Sequence, residues 1–145
     1  MKACRVISRS IGRLLRRLFE TEKENFQGAI DRLQAIAPRM AAFHEKYDLV
    51  LSPVVTAPPP EIGYLGGSLE FDVLMERLVD YVQYTVLYNV TGAPAVSLPL
   101  SMSPEGLPIG AMFGAALGRE DMLMALAYEL EEARPWSGRR PAVWA

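Results

Sequence analysis

Residues 89–121 read NVTGAPAVSLPLSMSPEGLPIGAMFGAALGRED, and the fold turns on this stretch. Ala95, Ser97 and Pro99 alternate with Val96, Leu98 and Leu100, the period-two pattern of a strand whose two faces differ. Ser103-Pro104-Glu105-Gly106 suits a type I turn, with proline at its second position and glycine at its fourth. The return strand then sets Leu107, Ile109, Ala111 and Phe113 on one face and Gly110, Met112 and Gly114 on the other. Glycines at 110 and 114 leave room on that face for something to approach closely. The spacing of Leu123, Leu126, Ala127 and Leu130 predicts a helix over 119–133, with Pro135 beyond its end. The stretch therefore predicts an antiparallel hairpin followed by a covering helix.

Upstream, DLVLSPVV begins at Asp48, and Leu49, Val50 and Leu51 are consecutive and apolar. A strand without alternation is covered on both faces, which favours an α/β sheet, and Pro53 should end it. Before it, Thr21, Glu22 and Glu24 read as a helix start, with Phe26, Ile30, Leu33 and Ala37 in one stripe and Pro38 expected to kink or end the helix. After it, PPPEIGYLGGS from Pro58 to Ser68 can only be loop. Residues 71–88 return to helical spacing, with Val73, Leu74, Leu78 and Tyr81 expected on one side. The fold class expected is α/β: part of a mixed sheet with covering helices.

The chain has 145 residues, half of them hydrophobic, enough for one domain of ordinary size. Its net charge of −2 gives no reason to expect a nucleic acid partner. The balance is uneven, however. Residues 1–20 carry six basic side chains against Glu20 alone, a net +5, so residues 21–145 hold the compensating −7. With Ile7, Ile11, Leu14, Leu15 and Leu18 at helical spacing, 1–20 reads as a basic amphipathic helix set apart from 21–145. Its arginines and serines also suit a transit peptide, and a reading frame opened at an internal methionine is a third possibility. No apolar run reaches the ~20 residues that span a bilayer. One cysteine, Cys4, excludes an internal disulfide and suits a reducing, cytoplasmic setting.

The chemistry is sparse. His44 is the only histidine, on a helix beside Glu45 and without further ligands, so a packing or surface role is expected and no metal or cofactor. Gly66-Gly67-Ser68 lacks the helix-opening lysine of a phosphate loop and the flanking glycines of a nucleophile elbow, and reads as a flexible loop. Glu120/Asp121 and Glu131/Glu132 fit a helix start and a solvated face. Tyr64, Tyr81, Tyr84 and Tyr88 with Met75 suit core packing or an apolar pocket.

Three segments together, YDLVLSPVVTAPPPEIG (47–63), YNVTGAPAVSLPL (88–100) and GLPIGAMFGA (106–115), resemble the C-terminal part of the amidase signature family, over about residues 40–133. The resemblance implies a large mixed sheet wrapped in helices and hydrolysis of carboxamides by a serine activated through a second serine and a lysine. It also implies that Tyr88, Asn89 and Thr91 lie near the substrate pocket. The family's catalytic segment precedes this region, and nothing in 1–40 resembles it, so no catalytic residue is assigned. A C-terminal amidase segment, inactive alone and in need of an N-terminal portion, is the expectation. The alternative is a stand-alone remnant that binds other molecules. The fragment reading also predicts exposed apolar surface where sheet neighbours belong, open to the N-terminal portion or to self-association, and a small amide substrate only in a complete enzyme.

Overall fold

The structure, a computed structural model, describes residues 5–6 and 26–140. Its elements run β1 (Arg5–Val6), α1 (Phe26–Gln34), α2 (Ile36–His44), β2 (Leu49–Pro53), α3 (Phe71–Tyr81), α4 (Val86–Thr91), β3 (Ala95–Met102), β4 (Pro108–Ala115) and α5 (Glu120–Ala133). The strands form one mixed sheet in the order β1-β2-β4-β3, with β1 parallel to β2 and the other pairs antiparallel.

The hairpin forms as the sequence predicts. The Gly106 amide donates to the Ser103 carbonyl at 3.0 Å, and the Ser103 amide to the Leu107 carbonyl at 2.8 Å. Gly106 takes φ +81°, a conformation that costs an L side chain about 1–2 kcal/mol, which is why glycine closes this turn. Beyond the hairpin, Leu49, Leu98, Phe113, Ala115 and Leu123 form one buried cluster, with Leu126, Ala127 and Leu130 of α5 against it. On the opposite face Ile36, Leu87, Tyr88 and Met112 form a second cluster from α2, α4 and the sheet. Helices thus lie on both faces. That is why β2 needs Leu49 and Val50, which point to opposite faces and are 4% and 1% exposed.

The outer edge of β3 is blunted. Pro99 sits in mid-strand, the register slips between Leu98 and Ser101, and the Arg139 guanidinium donates to the Pro99 carbonyl at 3.0 Å. Proline, a bulge and a capped carbonyl all oppose the addition of another strand.

Several expectations are corrected. Of the stripe expected on 26–37, Leu33 packs against a buried cluster but Ala37 is exposed, and the helix breaks at Ala35 and resumes at Ile36, so Pro38 lies inside α2. Proline has no amide to give to the carbonyl four residues back, and its ring crowds that carbonyl, here that of Gln34, the last residue of α1. The helix expected over 71–88 divides into α3 and α4. Thr56, from the loop after β2, donates its amide to Tyr81 O at 3.1 Å and its hydroxyl to Asp80 O at 2.7 Å, ending α3 with groups distant in sequence. The apolar side of α3 also differs from expectation: Val79 is its buried residue, while Val73 and Leu78 are exposed. The space at Gly110 and Gly114 is filled from within this chain. A Cβ at Gly110 would lie 2.8 Å from both Ser97 Oγ and Val54 Cγ2, and one at Gly114 would overlap the Tyr88 ring. The helix expected over 1–20 lies outside the described residues except at Arg5–Val6, which are strand.

Candidate functional site

Helix α4 positions the three residues that the sequence resemblance placed near a pocket. It runs only from Val86 to Thr91 because Gly92, at φ +69°, closes it with its amide on the Tyr88 carbonyl at 2.9 Å. Thr91 reinforces that end: its hydroxyl donates to Leu87 O at 2.8 Å and accepts from the Ala93 amide at 3.3 Å. Ala93 and Pro94 then lead into β3, where Pro94 O accepts from the Ala115 amide at 3.1 Å and ties the turn to β4.

The three side chains take separate directions. Tyr88 points at the sheet and lies over Gly114, which is paired with Val50 of β2 and Ala95 of β3. Asn89 is exposed. Thr91 lines a groove of about 260 Å³ together with Ala37, Met40 and His44 of α2, Ala93 and Leu117. Tyr88, Asn89 and Thr91 therefore share one turn but not one cavity.

Electrostatically, the site is apolar with orphaned polar atoms. The Tyr88 hydroxyl is buried without a hydrogen-bond partner, and burial pushes its pKa up to about 12. Ser52, paired with Met112, is 5% exposed, and its Oγ also has no partner. Two residues from Val50 on one strand, it points to the same sheet face as Tyr88 and Met112. Among the described residues no base bonds its hydroxyl, the pairing by which a serine nucleophile is activated. His44 Nδ1 lies 3.2 Å from Tyr47 O, and since a carbonyl only accepts, Nδ1 carries the hydrogen. Nε2 is left buried without a partner, while the ring packs edge-on to Phe43 at 5.4 Å between centroids.

Among the described residues, no group of three or more His, Cys, Asp or Glu side chains is arranged to hold a metal. No helix among them is long and apolar enough to cross a membrane. Sequence reasoning passed over Ser52, although a strand covered on both faces should have marked any serine within it as buried. It also missed the Tyr88–Gly114 contact, whose signal was the glycine on an otherwise filled strand.

The family model described as Amidase matches residues 4–124. The chain is 49% identical over 109 residues to the putative amidase AmiC of Mycobacterium leprae, which covers 75% of this chain and 23% of that protein. It is 38% identical over 135 residues to the 6-aminohexanoate-cyclic-dimer hydrolase of Pseudomonas sp. (strain NK87), covering 88% of this chain and 27% of that protein. The structure of 6-aminohexanoate cyclic dimer hydrolase complexed with substrate superimposes with a TM-score of 0.69 at 36% identity, over 81% of this chain and 26% of that one. A bacterial aryl acylamidase of the amidase signature enzymes shares the fold, with a TM-score of 0.58 at 21% identity over 89% of this chain and 29% of that one. The chain spans about a quarter of the length of these relatives. It belongs to the amidase family and corresponds to the C-terminal part of an amidase-type enzyme.

Proposed function

We propose that this chain serves carboxamide C–N bond hydrolysis as the C-terminal part of an amidase-type serine hydrolase, and that by itself it turns over no amide. The observation that carries the reading is its 38% identity over 135 residues to 6-aminohexanoate-cyclic-dimer hydrolase, a protein whose name states hydrolysis of a cyclic dimer of an amino acid. Amide hydrolysis needs a nucleophile, a group to carry its proton, and donors for the oxyanion. Those come from an N-terminal portion, either joined in one polypeptide or supplied by a separate one. This chain contributes the sheet and the Tyr88–Thr91 turn at the border of the substrate pocket. Tyr88 seats the turn on β4, Thr91 closes it, and exposed Asn89 is its side chain free to meet a small amide. The blunted edge of β3 favours the N-terminal portion over self-association through that strand as the partner. The working compartment is the cytoplasm, a reading supported by the lone Cys4.

The test is to assay the purified chain on the 6-aminohexanoate cyclic dimer and on short aliphatic and aryl amides, alone and co-expressed with the preceding three quarters of 6-aminohexanoate-cyclic-dimer hydrolase. The expected result is no turnover alone, and turnover in the complemented pair that a serine-directed inhibitor abolishes. Turnover by the chain alone would overturn the reading, as would a stable but inactive complemented pair.

A further inference from the structure

Helix α3 is built unlike the other long helices. Helix α5 lays Leu123, Leu126, Ala127 and Leu130 on the sheet, and α1, α2 and α4 pack on one another. Helix α3 makes no extensive contact with any other described helix or strand. Yet it is amphipathic and carries Phe71, 70% exposed, with Val73 and Leu78 also exposed. An isolated helix of 11 residues is marginal in water, since its few hydrogen bonds do not offset the cost of starting it.

Polar ties to the preceding loop hold α3 in place. Thr56 bonds the carbonyls of Asp80 and Tyr81, while Arg77 donates to Tyr64 O at 2.8 Å and lies 4.4 Å from the Tyr64 ring centroid. Loop and helix thus form one unit presenting Ile62, Tyr64, Phe71, Val73 and Leu78 to solvent. Phe71 and Leu78, seven residues apart, fall on one side of α3, beside its buried Val79, and the helix rests on no extensive contact with another described helix or strand, whereas Met124 and Tyr128 stand on α5, whose opposite side is anchored on the sheet.

We infer that this face of α3 and its loop is the docking surface for the N-terminal portion of an amidase-type polypeptide. The occupant follows from length: the chain spans about a quarter of its relatives, so the larger part of such an enzyme lies outside it. The inference rests on the reading given under Proposed function, and adds which surface joins the two parts.

The experiment uses the full chain and, as probe, the tagged preceding three quarters of 6-aminohexanoate-cyclic-dimer hydrolase. Three forms are compared for co-purification: the unaltered chain, Phe71→Asp/Leu78→Glu, and the control Met124→Glu/Tyr128→Asp. All four positions are exposed, so circular dichroism should report the same fold in each. The unaltered chain and the control should co-purify, the α3 variant at least tenfold less, and hydrogen exchange in α3 of the unaltered chain should slow on assembly. If the α3 variant binds as well as the unaltered chain, or α3 exchange is unchanged, the docking surface is wrong while the functional reading stands. If the unaltered chain fails to bind, the functional reading itself fails. A self-dimer broken by the α3 variant, with no binding to the probe, would assign the face to a second copy and overturn the choice of partner.

Discussion

Tyr88 and Gly114 hold each other in place. The ring occupies the volume that any larger residue at 114 would take, and this brings a hydroxyl into the interior with nothing to bond. A buried polar group without a partner costs about 1–3 kcal/mol. Tyr88→Phe keeps the ring and removes the orphan, so at pH 7 it should leave stability unchanged or raise it by about 1 kcal/mol in urea denaturation. The alkaline response is sharper. The native phenol titrates at about 12 and an unfolded tyrosine near 10, so the folded state keeps its proton where the unfolded chain loses it. This contribution is fully present below about pH 10 and is lost as pH rises through 12, on the order of 2–3 kcal/mol. Tyr88→Phe should abolish that loss, and an identical alkaline decline in both proteins would contradict it.

At the scale of elements, helix ends are set by two kinds of cause. The end of α1 is local: Pro38 denies Gln34 a hydrogen bond, and the chain restarts as α2. Pro38→Ala should restore that bond and join the helices, raising the far-UV helical signal. Stability should move by less than about 1 kcal/mol, because losing proline also frees the unfolded chain. An unchanged helical signal would show that packing of Leu33, Ile36 and Met40 beneath α4, and not the proline, fixes the break. The end of α3 has a distant cause. Thr56 reaches it from another part of the chain, and no pattern within 71–88 announces the interruption.

For the whole molecule, the sheet is covered on both faces while one helix stands outside that arrangement. Apolar surface on α3 and its loop remains in water, and it should bind an environment-sensitive hydrophobic dye. Phe71→Asp/Leu78→Glu should lower that fluorescence markedly, and Met124→Glu/Tyr128→Asp should change it little. Equal loss in both variants would mean that the exposed apolar surface is spread evenly.

The sequence by itself determined the hairpin, its turn, the buried face of α5 and the double burial of β2. Each of these is written in periodicity or in a residue with one conformational use, such as Gly106. The order β1-β2-β4-β3 and the exposure of Val73 and Leu78 were decided only in the tertiary structure. So were the orphan hydroxyls of Ser52 and Tyr88, and the separation of Tyr88, Asn89 and Thr91. The physical reason is range. Periodicity records which side of an element is apolar, but only contacts between distant segments decide whether anything covers that side.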